Sequence, residues 1–172
     1  MGVMKKQTWE LAPKHSTIQF KVKYLQISNV TGYFQKFSGT VATDEFFSTP
    51  EVSLLIEAGS IETHNDKWNE GLKELFAAEL YPHIRFTSKD GCRKSSGKIW
   101  ETRGQLTIKE ISRPVTLLIN FSDIKEDRKR PTALFHLFGT ISRSDFGFDK
   151  MDEKEIGDEI LLNAEIFLVR KP

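Results

Sequence analysis

The sequence predicts an all-β protein, a closed eight-stranded antiparallel barrel with one helix. Three observations predict it. Apolar and polar residues alternate with a period of two over several long runs. The connections between those runs are mostly of hairpin length. Only one stretch of the chain carries helical spacing instead. Closure also accounts for the long strands, because a closed sheet leaves no edge to protect. A two-sheet sandwich is the competing architecture, and strands near ten residues long favour the barrel.

The elements follow in order. From Ser16 to Tyr24, Ile18, Phe20, Val22 and Tyr24 share one face while Thr17, Gln19, Lys21 and Lys23 share the other. That is a half-buried strand with one wet face. A second strand is expected from about Thr31 to Thr43, punctuated by Gly32 and Gly39. Glu51–Ala58 is the third and Ile84–Ser88 the fourth, followed by a turn at Asp90-Gly91. Lys98–Ile108, Pro114–Phe121 and the mostly apolar Thr132–Ile141 follow. Glu159–Val169 is the last, with Ile160, Leu162, Ala164, Ile166 and Leu168 on one face. The charged runs Lys125–Arg130 and Asp149–Glu155 read as solvated loops. The helix is expected over Asn65–Leu80, where Trp68, Leu72, Leu75, Phe76 and Leu80 recur at spacings of three and four. Asn65 or Asp66 caps its start and Pro82 ends it.

The chain has 172 residues, the size of one domain, and no linker or repeat divides it, so residues 1–172 read as a single unit. Twenty-five Lys and Arg against 24 Asp and Glu leave a net charge of +1, which excludes the basic footprint of a nucleic-acid binder. A single cysteine, Cys92, excludes an internal disulfide and a Cys-based zinc site. No run approaches the roughly 20 apolar residues that span a bilayer, and the start lacks an apolar signal core. The expected compartment is therefore cytoplasmic for the chain as written, and periplasmic if a signal has been removed. Thirteen Phe stand against three Tyr. So many rings without hydroxyls either pack a wide core or line an apolar cavity, and on composition alone core packing is the simpler account.

Four stretches, taken together, resemble the YceI-like family of lipocalin-like, polyisoprenoid-binding proteins. The first runs from His15 through Val22, continues over Ile27–Phe34 and ends at Phe37-Ser38-Gly39. The second is Ser60-Ile61-Glu62-Thr63, the helix, and Tyr81-Pro82-His83-Ile84-Arg85-Phe86. The third is Gly104–Ile108 with Arg113-Pro114-Val115, and the fourth is Ser142–Gly147 followed by Ile156–Ile160. The resemblance covers Trp9 to Arg170. It implies a lipocalin-like barrel with the helix over one end and an elongated apolar tunnel. The implied partner is a long-chain isoprenoid or acyl lipid, with no cofactor, and a homodimer is one assembly it allows. Three features depart from the family pattern, the first being a short spacing from the helix to Tyr81. Trp68-Asn69-Glu70-Gly71-Leu72 stands where relatives often carry Arg-Asp-x-His-Leu, and Glu110 stands where a Gly is usual.

With the resemblance, inward-facing and tunnel-lining residues become one set. The candidate ligand-binding residues are Ile18, Phe20, Val22, Tyr24, Phe34 and Phe37 from the early strands. To these the helix adds Phe76, and the later segments add His83, Phe86, Ile108, Phe121, Phe138 and Phe146. Arg143 and Asp145, two apart near a strand end, share a face if the strand continues through them. There they meet a head group, or form a structural ion pair or capped turn. The same three polar residues, His83, Arg143 and Asp145, are the candidates for the competing reading, an enzyme acting on an apolar substrate in the barrel. A barrel filled by its own side chains, serving as an interaction module, is a third. No catalytic group is expected. His15-Ser16 has no Gly-x-Ser-x-Gly context, and His64, His83 and His136 lack metal-ligand spacing.

Overall fold

The structure is a computed structural model that describes residues 7–44, 50–88, 92–97, 99–125, 130–148 and 156–172. Its strands are β1 (Gln7–Leu11), β2 (Thr17–Tyr24), β3 (Ser28–Phe34), β4 (Phe37–Thr43), β5 (Glu51–Glu57) and β6 (Ile61–Glu62). One helix, α1 (Asp66–Leu75), precedes β7 (His83–Ser88), β8 (Cys92–Ser96), β9 (Ile99–Ile108), β10 (Ile111–Lys125), β11 (Thr132–Ser142) and β12 (Ile156–Arg170).

These strands form eight staves, all antiparallel. β1 and β2 are one stave broken by a turn, and both lie against β12. β3 and β4 form the next, β5 and β6 the third, and β7 with β8 the fourth, both against β9. β9, β10, β11 and β12 complete the cylinder, and β1 closes it by pairing with β4 on one side and β12 on the other. The expected eight-stranded barrel with one helix is therefore the observed fold, with four of its staves broken, one of them inside the run Thr31–Thr43 expected as a single strand.

Two of the breaks have a visible cause in a serine hydroxyl. The expected strand from Thr31 to Thr43 starts earlier, at Ser28, and is interrupted at Gln35-Lys36. There the Ser60 hydroxyl accepts the Lys36 N–H at 3.0 Å, and the Ser60 carbonyl accepts that of Gln35 at 3.1 Å. The hydroxyl thus replaces ladder bonds that the bend removes. Between β1 and β2 the Ser16 hydroxyl donates to the Ala12 carbonyl at 2.8 Å and accepts the Phe167 N–H at 2.9 Å. Ser16 is therefore a structural clip in the broken stave. β10 begins before Pro114 because β11 reaches only as far as Leu118, so the missing proline N–H faces no partner strand. The turn expected at Asp90-Gly91 and both charged loops lie, wholly or mostly, outside the described residues.

The helix is shorter than its periodicity. Asn65 caps the start as expected, accepting the Trp68 N–H at 3.1 Å. The end comes at Leu75, five residues early. Ala77 takes a left-handed φ of 46°, and the Ala78 N–H reaches back to the Lys73 carbonyl at 3.0 Å, the crossed bond of a Schellman end. Leu80, expected on the apolar face, is 78% exposed.

The β9–β10 hairpin turns through Lys109 and Glu110, with Ile108 opposite Ile111. Both turn residues are left-handed, at φ 52° and 66°. Tight hairpins of this hand favour Asn-Gly, and side chains with a Cβ are strained there. The departure at Glu110 thus falls where a glycine would be relaxed. The double substitution K109N/E110G is expected to stabilise the protein by about 1 kcal/mol. Urea unfolding checks this, and an unchanged or lowered midpoint would count against a strained turn.

Candidate ligand cavity

Alternation along each stave turns one set of side chains inward. Ile18, Phe20 and Val22 of β2 are all under 10% exposed and face the lumen opposite β12. Ile160, Leu162 and Ala164 of β12 meet them, in register with Val22, Phe20 and Ile18 respectively. The backbone polar groups of these residues are bonded to neighbouring strands, so the lumen sees hydrocarbon. Phe20 lies flat over Gly32, which sits directly opposite it; a Cβ there would fall 2.3 Å from the ring.

The inward residues leave a cavity of about 150 Å³ under α1, lined almost wholly by apolar side chains from β2, β3, β5, β7, β9, β10, β11, β12 and α1, with the 3-10 turn Arg143–Phe146 at its border. A second chamber of about 70 Å³ lies towards the other end, between Leu11, Val41, Ile119, Phe135 and Leu168. Outside the main cavity, a more open cleft runs between Lys67 and Gly71 of α1 and the first residue of β12, Ile156. Trp68, Leu72, Leu75 and Ile156 face both this cleft and the cavity, so they form the partition between lumen and solvent.

Aromatic contacts seat the helix on the barrel. Trp68 packs edge-on to Tyr24 at 5.1 Å. Phe76 meets Phe34 at 6.3 Å and Phe148 at 5.4 Å, and Phe34 in turn meets Phe20 at 5.7 Å. A polar latch holds the helix start. Asn69, 7% exposed, accepts from the Thr63 N–H at 2.8 Å and hydroxyl at 2.6 Å, and donates to Glu62 Oε1 at 3.0 Å. The Asn69 amide and the His64 N–H hold the Glu62 carboxyl below its ordinary range. This latch occupies the segment where the family's Arg-Asp-x-His-Leu stretch is absent.

The candidate residues divide. Ile18, Phe20, Val22, Phe34, Phe76, Phe86, Ile108, Phe138, Arg143 and Phe146 border the main cavity, and Phe121 borders the second chamber. Phe138 stands on the outward side of the β11 alternation, its ring 5.6 Å from that of His136. Four candidates lie elsewhere. Tyr24 packs on Trp68, Phe37 is core, and His83 and Asp145 are exposed. Arg143 and Asp145 do not share a face, because the chain leaves the strand there for a 3-10 turn, Arg143–Phe146. Arg143 is 3% exposed and Asp145 points to solvent.

Arg143 is also not a free cation for a head group. Its guanidinium donates to the carbonyls of Phe148, Ile156 (2.9 Å) and Gly157 (3.3 Å), tying the 3-10 turn to the start of β12. The carboxylate at this turn is Asp158, which accepts the Ser144 N–H at 2.9 Å; that bond holds it below the ordinary aspartate range. Beyond Ile18, Val22 and Ile108, the aliphatic lining, including Leu54, Leu106, Leu117 and Leu137, is absent from the sequence candidates. Its signal was the period-two alternation itself, which the phenylalanine count overshadowed. Among the described residues no trio of His, Cys, Asp or Glu gathers in a way that would hold a metal, and no helix is long and apolar enough to cross a membrane.

A closed antiparallel barrel around an apolar lumen, with a helix over one end, defines the lipocalin-like class of barrels. Within that class the chain belongs to the YceI-like domain family, whose pattern it matches over residues 9–168. A UPF0312 protein of Staphylococcus aureus is 30% identical over 153 residues, covering 86% of this chain and 85% of that one. The Campylobacter jejuni YceI protein superposes with a TM-score of 0.79 at 29% identity, over 87% of this chain and 90% of that one. A domain of Saccharophagus degradans, described as polyisoprenoid-binding, shares the fold at a TM-score of 0.71 and 14% identity, over 93% and 97% of the two chains.

Two expectations follow. Arg143→Met strands three carbonyls and should cost about 3 kcal/mol of stability by leaving them unsatisfied. Thermal unfolding measures it, and a wild-type melting temperature in the variant would contradict the structural role. For Asp158 the folded pKa is depressed, so its contribution is present above the ordinary aspartate range and fades as pH falls through the folded value. The stability gap between wild type and Asp158→Asn should therefore shrink in acid. A gap that is constant from neutral to acid pH would contradict the bond to Ser144.

Proposed function

We propose that this protein is a non-catalytic carrier or store that holds one elongated apolar lipid, a polyisoprenoid or fatty-acyl derivative, inside the barrel. The observation that carries the reading is the lumen's chemistry. Among the described residues its lining is apolar over both chambers, and the one ionisable side chain that borders it, Arg143, is committed to backbone carbonyls. Such a lumen binds by removing apolar surface from water, at about 25 cal/mol per Å², and selects for length and shape. The polyisoprenoid-binding description of the Saccharophagus degradans domain, which has the same fold, supports the isoprenoid class. The partition of Trp68, Leu72, Leu75 and Ile156 is the natural portal, since these described residues face both the main cavity and the open cleft beside α1.

The enzyme reading needs a titratable group placed to act on the bound molecule. His83 and Asp145 are both exposed and border neither chamber, which favours carriage over catalysis.

Native mass spectrometry of the purified protein, followed by solvent extraction, tests the proposal. One long-chain species at near-unit stoichiometry is expected, or uptake of one added lipid if the protein is isolated empty. Ala164→Phe, which narrows the lumen, should reduce that occupancy by about tenfold. Leu161→Phe, on the outer face of the same strand, should leave it unchanged. Protein that takes up no prenyl or acyl lipid, or variants that behave alike, would overturn the reading.

A further inference from the structure

The two chambers abut at four side chains that border both: Leu54 of β5, Phe86 of β7, Leu117 of β10 and Leu137 of β11. On β12 the same level falls between Ala164, which borders the main cavity, and Ile166, which borders the second. These four residues form a waist across the lumen.

Three of the four rest against a glycine on a neighbouring stave. A Cβ at Gly104 would lie 2.5 Å from the Phe86 ring. One at Gly139 would lie 2.8 Å from Leu117 Cδ2, and one at Gly39 would lie 3.2 Å from Leu54 Cδ1. In each case the missing Cβ gives the waist residue a recess in the wall. With a side chain in that recess, the waist residue is driven inwards, because a close-packed wall offers it no other volume.

We infer that this glycine-seated waist sets the length of ligand the protein accepts: a short chain occupies the main cavity alone, and a longer one passes the waist into the second chamber. The inference rests on the lipid-binding reading and deepens it. Beyond the waist the lining is again apolar, closed off by Phe121 and Phe135, whose rings meet edge to face at 4.7 Å. The second chamber therefore suits a hydrocarbon tail and, among the described residues, offers no charged partner to a polar end.

Gly139 is the best place to test this. Its nearest neighbour is the flexible end of Leu117 at 2.8 Å, with the Thr116 carbonyl next at 3.2 Å, whereas a Cβ at Gly104 would press on the Thr87 carbonyl at 2.5 Å. Calorimetric titration with geraniol, farnesol and geranylgeraniol reads the dependence of affinity on chain length. For wild type, affinity should rise along the series. In Gly139→Ala the ratio of geranylgeraniol to geraniol affinity should fall by about tenfold. The double variant Gly139→Ala/Leu117→Ala removes the displaced side chain and should restore the ratio. Ile119→Phe, which fills the second chamber from within, should lower the ratio even if Gly139→Ala fails to fold. An unchanged ratio in both Gly139→Ala and Ile119→Phe, or a loss that the double variant does not relieve, would overturn the waist. Wild type that binds none of the three alcohols, nor any acyl lipid, would instead overturn the lipid reading on which the waist depends.

Discussion

The ladder that β1 makes on both of its edges is the constraint on which the rest of this structure depends. Trp9, Glu10 and Leu11 pair with Arg170, Val169 and Leu168 of β12, while Gln7 through Glu10 pair with Thr43 through Thr40 of β4. Without that short strand, β4 and β12 would present open edges, and the lumen would have a slot along its side. With it, the sheet has no free edge between those staves, and every inward residue faces its counterparts across the barrel. Trp9 and Leu11, 2% and 5% exposed, anchor the closing strand from inside. An apolar lumen large enough for a ligand follows from closure, since the same side chains in an open sheet would face water.

The rim is organised separately from the wall, and by polar groups. Arg143 gathers carbonyls from the 3-10 turn and from the start of β12, and Asn69 joins α1 to β6 and Glu62. Both are buried polar side chains whose partners lie within the protein, so they fix the helix-covered end of the barrel without offering a charge to the lumen. This division explains how a member of the family can lack the Arg-Asp-x-His-Leu stretch. Asn69 holds the helix by a neutral amide, and aromatic contacts at Trp68 and Phe76 supply the apolar seat.

The barrel was legible because period-two alternation is a direct imprint of one wet and one dry face. Ile18, Phe20 and Val22 read correctly, as did Ile160 through Leu168. The breaks in the staves were not, because they depend on distant partners: Ser60 bonds the Gln35-Lys36 bend from 24 residues away. β1 escaped because its five residues hold only two inward positions. Leu80 misled because Ala77 and Ala78 favour helix by propensity, whereas Ala77 turns left-handed and the crossed bonds to Lys73 and Glu74 close the helix at Leu75. Among the site residues, aromatic rings drew attention that aliphatic ones deserved equally: Leu117 and Leu137 border both chambers, and Tyr24 and Phe37 border neither. Arg143 carried the chemistry of a head-group ligand in sequence, and only its three carbonyl partners show that the guanidinium is already occupied.

In the proposed carrier the inward face is a ligand surface and the outward face is not. Isotope-filtered NOE spectroscopy of methyl-labelled protein with unlabelled geranylgeraniol addresses it directly. The account predicts contacts from the ligand to Ile18, Leu137 and Leu162, and none to the outward Leu161, Leu25 or Ile27. Contacts confined to the outward methyls would contradict it.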